Sequence, residues 1–492
     1  MNALMLFPEF PDTFWSFKHA LKFVRKRASL PPLGLLTVAA LLPSSWEKRL
    51  VDLNVRALTA KDLAWADLVC ISAMIVQRAS AQALIARCCA AGKLIVAGGP
   101  LFTSEHEQFP DVDHFVLNEA ELTLPGFLRD FELGCAQRIY ATSEFADIRQ
   151  TPAPLWELAD LQRYASMSLQ YSRGCPFDCE FCDVTVKFGH RPRTKTAAQV
   201  IAELDGLRRL GWRGQVFFVD DNLIGNKREL KNELLPALIG WQKARHGMPF
   251  YTEASINLAD DPELMRLMSD AGFDGVFIGI ETPDDSSLAE CNKRQNQGRD
   301  LVADVKRIQR AGLQVQGGFI VGFDNDTSSI FQRQVEFIQK SGIVTAMVGL
   351  LNALPDTRLY ARMKLEGRLL GPSTGDNVDG TTNFVSRMNA ETLREGYQRI
   401  LRYIYAPGPY YQRVRTFLRE YRRPRITVRM NWRHAMALVH SSIRLGIFGS
   451  ERFHYWRLMI WTLFHRPSLV QVAVTLAIYG HHFRKCSIAL AP

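Results

Sequence analysis

Along the first 150 residues, short apolar runs alternate with longer stretches of helical character. ALMLF, RLVDLNV, DLVCISAM, LIVAGG and HFVLNEAE read as short, largely buried strands. Between them, LPPLGLLTVAALLP and SAQALIARCCAAG read as helices, each closed by Pro or Gly. This alternation predicts an α/β fold class, with a doubly wound parallel sheet over residues 1–150. Gly98, Gly99 and Pro100 follow a strand end, the edge where such sheets bind ligands. Pro152 and Pro154 mark residues 151–166 as a linker.

A second alternation starts near Met167 and repeats six times. Its strands are MSLQYS, QVFFVDD, PFYTEASIN, GVFIGIET, QVQGGFIVGF and TAMVGLLNA. Helices such as AAQVIAELDGLRRLG and PELMRLMSDAG separate them, the first with Val200, Leu204, Leu207 and Leu210 on one stripe. The repeat predicts a partial (β/α)6 barrel over residues 167–370. Polar residues gather at the C-terminal ends of its strands: Asp220, Asp221 and Asn222, then Glu253, Ser255 and Asn257, then Glu281, Asp324 and Asn352. That rim carries the chemistry in such barrels. Beyond Gly371 the pattern becomes basic, aromatic and mainly helical through residue 492.

With 47% hydrophobic and 22% charged residues, the composition excludes wholesale disorder and a fibrous chain. Nine cysteines in 492 residues do not make a disulfide scaffold. The start, MNALMLFPEFPDTFW, lacks a basic segment followed by a long apolar core, so a cytoplasmic location is expected. The net charge of +10 is unevenly spread. Residues 401–492 hold fifteen Lys+Arg against Glu420 and Glu451, a net of +13, which leaves −3 for residues 1–400. Arg413, Arg415, Arg419, Arg422, Arg423, Arg425 and Arg429 are interleaved with Tyr410, Tyr411, Phe417 and Tyr421. Three readings stand: helical packing with a solvated basic face, a peripheral surface for anionic lipid at the inner membrane, or nucleic-acid binding. No RNA or DNA module accompanies the charge, so no nucleic-acid partner is expected. The uncharged run Pro467–Gly480 covers fourteen residues, short of the ~20 that cross a bilayer, and no transmembrane span is predicted.

Just after the first barrel strand comes YSRGCPFDCEFC, with Cys175, Cys179 and Cys182 spaced C-x3-C-x2-C. Core cysteines rarely cluster in so short a loop beside Pro176, Asp178 and Glu180. A zinc site needs a fourth ligand, for which His190 in a solvated HRPRTK run is the one at hand. An iron–sulfur cube is the stronger reading, because thiolates are its normal ligands. Three thiolates on four irons leave one iron open to a substrate group.

This motif, with the aromatic Phe181 before its last cysteine at the end of the first strand of a partial barrel, resembles the radical S-adenosylmethionine (SAM) superfamily. The resemblance implies a [4Fe-4S] cluster held by Cys175, Cys179 and Cys182, whose open iron chelates SAM and whose electron cleaves it to a 5′-deoxyadenosyl radical. It implies SAM contacts at Phe181, at Asp220 or Asp221 of VDDN, at Ser255, at Glu281 of GIETP and at Gly322 within GGFIVGFD. VDDN departs from the Gly-Gly-Glu that many members carry, which leaves the choice between Asp220 and Asp221 open. The preceding α/β unit resembles a cobalamin-binding domain. Ser72 with Gly98 and Gly99 match its Ser…Gly-Gly pattern, where small residues admit the cofactor's nucleotide tail. Its usual Asp-x-His-x-x-Gly motif is missing, and His19 lies well past that turn, so cobalamin without a histidine lower ligand is expected. A mere docking domain, or one for another nucleotide, is the alternative.

PPLGLLTVAALLP, VDDNLIGNKRELK and TEASINLADDPEL resemble the class B radical SAM methylases with a C-terminal extension, the group of the hopanoid C-2 methylase. This implies a C-methyltransferase that adds a methyl group to an unactivated carbon of a small molecule or lipid, here a hopanoid or other isoprenoid. It also implies an electron donor such as flavodoxin or ferredoxin. Tyr171, Arg173, His190, Arg191 and Arg193 either orient SAM or substrate, or are solvated loop residues. Two rival functions remain: a cobalamin-linked radical enzyme for ring formation, oxidation or rearrangement, and a zinc-bearing nucleic-acid-binding protein.

Overall fold

A computed structural model describes residues 1–245, 247–376, 378–424, 426 and 432–489. The N-terminal unit is a parallel sheet of β1 (Asn2–Phe7), β2 (Glu47–Asp52), β3 (Leu68–Ser72), β4 (Leu94–Gly98), β5 (His114–Val116) and β6 (Ile139–Tyr140), in the order β2-β1-β3-β4-β5-β6. Strands buried on both faces read as continuous apolar runs, as β1 and β3 do. Each face supports its own apolar cluster, one around Val69, Leu84 and Phe102, the other around Met5, Leu35 and Phe127. The Ile139–Tyr140 edge strand has too short an apolar run to be read from the sequence.

The second sheet is also parallel, in the order β7 (Met167–Leu169), β10 (Val216–Phe218), β11 (Phe250–Glu253), β12 (Phe273–Glu281), β13 (Gln314–Val321) and β14 (Ala346–Leu350). Its two end strands do not pair, which makes an open partial barrel. A short antiparallel pair, β8 (Ser172–Arg173) with β9 (Arg193–Thr194), brackets the cysteine loop. The helix Ala197–Arg209 starts at a capping box of Thr196 and Gln199 and buries Val200, Leu204 and Leu207. Leu210, expected on that stripe, is exposed instead. The helix ends at Arg209, and Gly211 turns the chain away at a φ of +87°.

The segment 151–166 is tightly packed. It forms two short 3₁₀ turns, buries Trp156 and Tyr164, and donates a hydrogen bond from Tyr164 Oη to Asp52 at 2.9 Å. After β1 the chain runs across to the C-terminal helices, where Phe14 stacks on Phe483 with centroids 4.1 Å apart. Those helices are Ala390–Tyr405, Pro407–Glu420, Trp432–Arg444, Arg452–His465 and Val470–Ala489. Much of the basic–aromatic segment turns out to be core. Tyr410, Tyr411, Phe417 and Tyr421 are buried, and Arg413 is 0% exposed. Its guanidinium donates to Gln339 Oε1 at 2.6 Å and to the Val344 carbonyl. Arg419, Arg422 and Arg423 do reach solvent, whereas Arg425 and Arg429 lie outside the described residues. Among the described residues, no helix is long and apolar enough to cross a membrane.

Candidate functional site

Parallel strands deliver their C-terminal ends to one rim, and the cysteine loop hangs from that of β7. Gly174 lets it leave the strand at a φ of +98°, where an added Cβ would lie 2.9 Å from the Gly189 carbonyl oxygen. Cys175, Cys179 and Cys182 are all free and half-buried. Neighbouring segments clamp the loop: Glu180 N–H donates to the Cys291 carbonyl at 2.9 Å, Asn292 Nδ2 to the Asp178 carbonyl at 2.8 Å, and Arg362 pairs with the Glu180 carboxylate at 2.7 Å. Gln295 Nε2 lies 3.7 Å from the Cys179 sulfur, and Asn222 Nδ2 lies 4.0 Å from that of Cys175. Burial pushes the Cys175 and Cys182 thiols up, so binding a metal there releases protons. His190, the fourth ligand of the zinc alternative, is exposed. Among the described residues, the His, Cys and acid ligand atoms gathered within 4.8 Å of one another are those of His19, His482 and Cys486. That trio ties the N-terminal crossing to the last helix, with His482 Nε2 2.9 Å from the Phe14 carbonyl.

The rim carboxylates divide by what they face. Asp220 is fully buried and accepts from the backbone N–H groups of Tyr171 and Ser172, which fixes the turn after β7. Burial pushes its carboxyl up to about 7. Asp221 is half-buried beside Asp183, which follows the last cysteine, and burial with that neighbour pushes it up to about 6. Asn222 Oδ1 accepts from the N–H of Ser255 at 3.2 Å, joining two strand ends. Glu281 sits at a β-bulge with φ +62°. Its carboxylate meets Lys293 Nζ at 2.5 Å, in the space an added Cβ on Gly279 would occupy. The Lys293 ammonium is held charged in spite of burial, because Glu281 and the Cys179 sulfur lie beside it. It also stands 5.9 Å from the Phe181 ring. Gly322 turns at φ +104°, and its N–H donates to Asp326 at 2.8 Å. Asp324 instead binds Arg362 and Arg368, at 2.8 and 2.6 Å. Lys293, Gln295, Arg362 and Asp326 escaped the sequence reading, since charged residues in polar loops carry no periodic signal.

Of the basic residues flanking the loop, Arg173 and Arg193 are neither solvated nor turned towards it. Arg193 pairs with Glu119 at 2.6 Å and Arg173 with Glu121 at 2.8 Å, which pins the barrel to the N-terminal unit. Tyr171 is buried, and His190 and Arg191 are near the surface.

Between the two sheets lies a cavity of about 1670 Å³. Ser72 and Gly98 are register partners at the ends of β3 and β4, and with Gly99 they form one wall. A Cβ on Gly98 would lie 2.6 Å from the Val116 carbonyl oxygen, and one on Gly99 would lie 2.6 Å from Ser72 Oγ. Side chains at either glycine would fill this cradle, which fits a sheet edge shaped for the tail of a bulky cofactor. The opposite wall comes from the barrel, through Phe217, Tyr251, Phe277, Met347 and the Glu253 carboxyl, which burial pushes up to about 8. Trp15 closes across it, 5.5 Å from Phe277. No histidine lines this cavity among the described residues, and His19 pairs with Asp12 at 3.0 Å outside it.

Three family models match successive parts of the chain: the B12 binding domain over residues 26–128, the Radical SAM superfamily over 169–338, and a domain of unknown function, DUF4070, over 357–490. An uncharacterized methyltransferase of Synechocystis is 43% identical over 98% of this chain and 91% of its own length. The hopanoid C-2 methylase of Rhodopseudomonas palustris is 34% identical over 98% of this chain and 92% of that one. The solved structure of the cobalamin-dependent SAM radical enzyme OxsB, with aqua-cobalamin and SAM bound, shares the fold at a TM-score of 0.64 and 14% identity, covering 99% of this chain and 80% of that one. Both relatives match this chain over nearly its whole length, and it therefore belongs to the cobalamin-dependent radical SAM methyltransferases.

Proposed function

We propose that the protein methylates an unactivated carbon of a hopanoid or another polycyclic isoprenoid lipid. The observation that carries this reading is the cavity between the Gly98–Gly99 cradle and the barrel mouth, whose barrel wall is dominated by Phe217, Tyr251, Phe277 and Met347. The rings and thioether of this wall gain free energy by taking an apolar body out of water, while Ser168, Gln170, Glu253, Gln314 and Gln316 beside them offer polar groups that can orient it. When bound, the cluster, SAM and cobalamin supply the radical and the methyl group that a saturated C–H bond requires.

The chain's own residues position those groups and exclude water. Cys175, Cys179 and Cys182 hold the cluster. Phe181 and Lys293 back the loop, and Gln295 and Asn222 direct N–H groups at its sulfurs. Asp221 rather than Asp220 takes the SAM contact, because both oxygens of Asp220 are occupied by backbone N–H groups. Ser255, Glu281 and Gly322, along the same rim, would supply the remaining SAM contacts. Ser72, Gly98 and Gly99 would receive the nucleotide tail of cobalamin, and the cavity they line holds no histidine among the described residues. The electron comes from a flavodoxin or ferredoxin.

Anaerobic reconstitution with iron, sulfide and a corrinoid, followed by methyl-labelled SAM and lipid extract, tests the assignment. The expected result is label in an isoprenoid lipid, with both label and iron lost in Cys179→Ala. Label-free product, or label only in a water-soluble acceptor, overturns it.

A further inference from the structure

The C-terminal helices present an apolar surface that no other described residue covers. The helix Arg452–His465 buries Tyr455, Leu458, Met459 and Thr462 against the helix Val470–Ala489. Its opposite face is apolar too: Phe453, Trp456, Ile460, Leu463 and Phe464 stand in solvent at helical spacing. A helix that is apolar on both faces belongs in a core or in lipid. The preceding helix, Trp432–Arg444, likewise exposes Leu438, Val439 and Ile443, and the turn between them exposes Ile447 and Phe448. Phe448 and Phe464 are 80% and 79% exposed. Such a density of exposed large apolar side chains marks an interaction site, unlike those scattered singly elsewhere.

The charge around this surface selects its occupant. Residues 401–492 carry a net of +13, and both of their acids are already engaged, Glu420 with Arg310 at 2.8 Å and Glu451 with Arg484 at 2.7 Å. Arg444, Arg452 and Arg457 are exposed on the same two helices. A second copy would bring an equally basic surface against this one, which like-charge repulsion opposes. Anionic lipid satisfies both the charge and the apolar face. With no helix among the described residues able to span a bilayer, such a surface lies in the interface. It is also continuous with the cavity, because Leu438 lines both.

We propose that Trp432–Arg444, Arg452–His465 and their connecting turn form the surface by which the protein docks on an anionic membrane. The apolar side chains enter the acyl boundary, the arginines meet the phosphates, and the cavity opens to the leaflet beside Leu438. The docking rests on the lipid-substrate reading for its purpose and has its own test. The full chain, without cofactors, is floated with phosphatidylcholine vesicles that contain or lack phosphatidylglycerol. It is expected to float with the anionic vesicles, more weakly with neutral ones, and to lose at least about tenfold of its partitioning in the double variant Phe448→Glu, Phe464→Glu. Both positions are exposed, so an unchanged circular dichroism spectrum and melting curve accompany that loss. Wild type that stays unfloated, or a variant that floats equally well, overturns the proposal. So does a dimer, seen by sedimentation, that the variant splits. A chain that floats but labels no lipid supports docking and overturns the substrate reading. One that labels detergent-dispersed lipid but does not float overturns docking alone.

Discussion

Gly99→Ala tests the cobalamin cradle with a single methyl group. Gly99 has φ +86° and ψ −179°, a region that is nearly glycine-only, and an alanine held there costs about 1–3 kcal/mol. The new Cβ would also lie 2.6 Å from Ser72 Oγ, well inside contact distance, and overpacking of this kind costs about 1–3 kcal/mol more. The total is about 2–6 kcal/mol, confined to the turn between β4 and the helix Pro100–Glu105. If the unliganded turn relaxes to shed this strain, corrinoid binding must restore the cradle and bear the cost. The affinity then falls by at least about 30-fold, at 1.4 kcal/mol per decade. Titration with hydroxocobalamin, followed by its visible absorbance, reads the loss. Iron content after reconstitution reports on the separate barrel and should be unchanged. Adding Ser72→Ala removes the Oγ contact but not the backbone strain, so it restores only part of the affinity. If the turn does not relax, the same strain appears as lost stability, so a Gly99→Ala protein that is as stable as wild type and binds corrinoid within about threefold of it would refute the cradle, because that lies below the smallest cost worked out here.

Two further expectations concern buried charge. Lys293→Met leaves the Glu281 carboxylate buried without its partner and should destabilise the barrel by about 3–5 kcal/mol in urea titrations, with Glu281→Gln in the same chain recovering much of the loss; a single variant as stable as wild type would contradict it. Burial alone would push the Glu451 carboxyl up, but His481 and Arg484 hold it at about 2, below its ordinary 4.5. A depressed carboxyl contributes stability that is whole above pH about 4.5 and lost as pH falls towards 2. Glu451→Gln should therefore flatten the acid side of the stability profile, measured as urea midpoints against pH.

Much of the site was legible because its chemistry is local in sequence. Three cysteines within eight residues can meet on one loop whatever the rest of the chain does, and Gly98-Gly99 after an apolar strand marks a sheet edge open to a ligand. The residues that support them were not legible. Lys293 is one lysine among many until β12 and the 291–296 turn bring it beside Glu281 and the thiols. Arg173 and Arg193 sit next to the motif in sequence, yet they point away to Glu121 and Glu119, 52 and 74 residues earlier. The basic tail shows the same limit. Composition shows its charge but not that Arg413 and Tyr410 are core, while Phe448 and Phe464, uncharged and unremarkable in sequence, stand in solvent.

By itself, then, the sequence determined the two parallel sheets, the position of the thiol loop and the small residues at the cradle. Strand and helix periodicities, and glycines at strained angles, are properties of neighbouring residues. Only the tertiary structure decided that Asp220 holds the turn after β7, which arginines join the two units, and which face of the last helices no described residue covers. Each of those depends on groups far apart in sequence meeting at ångström range, and no spacing along the chain encodes such a meeting.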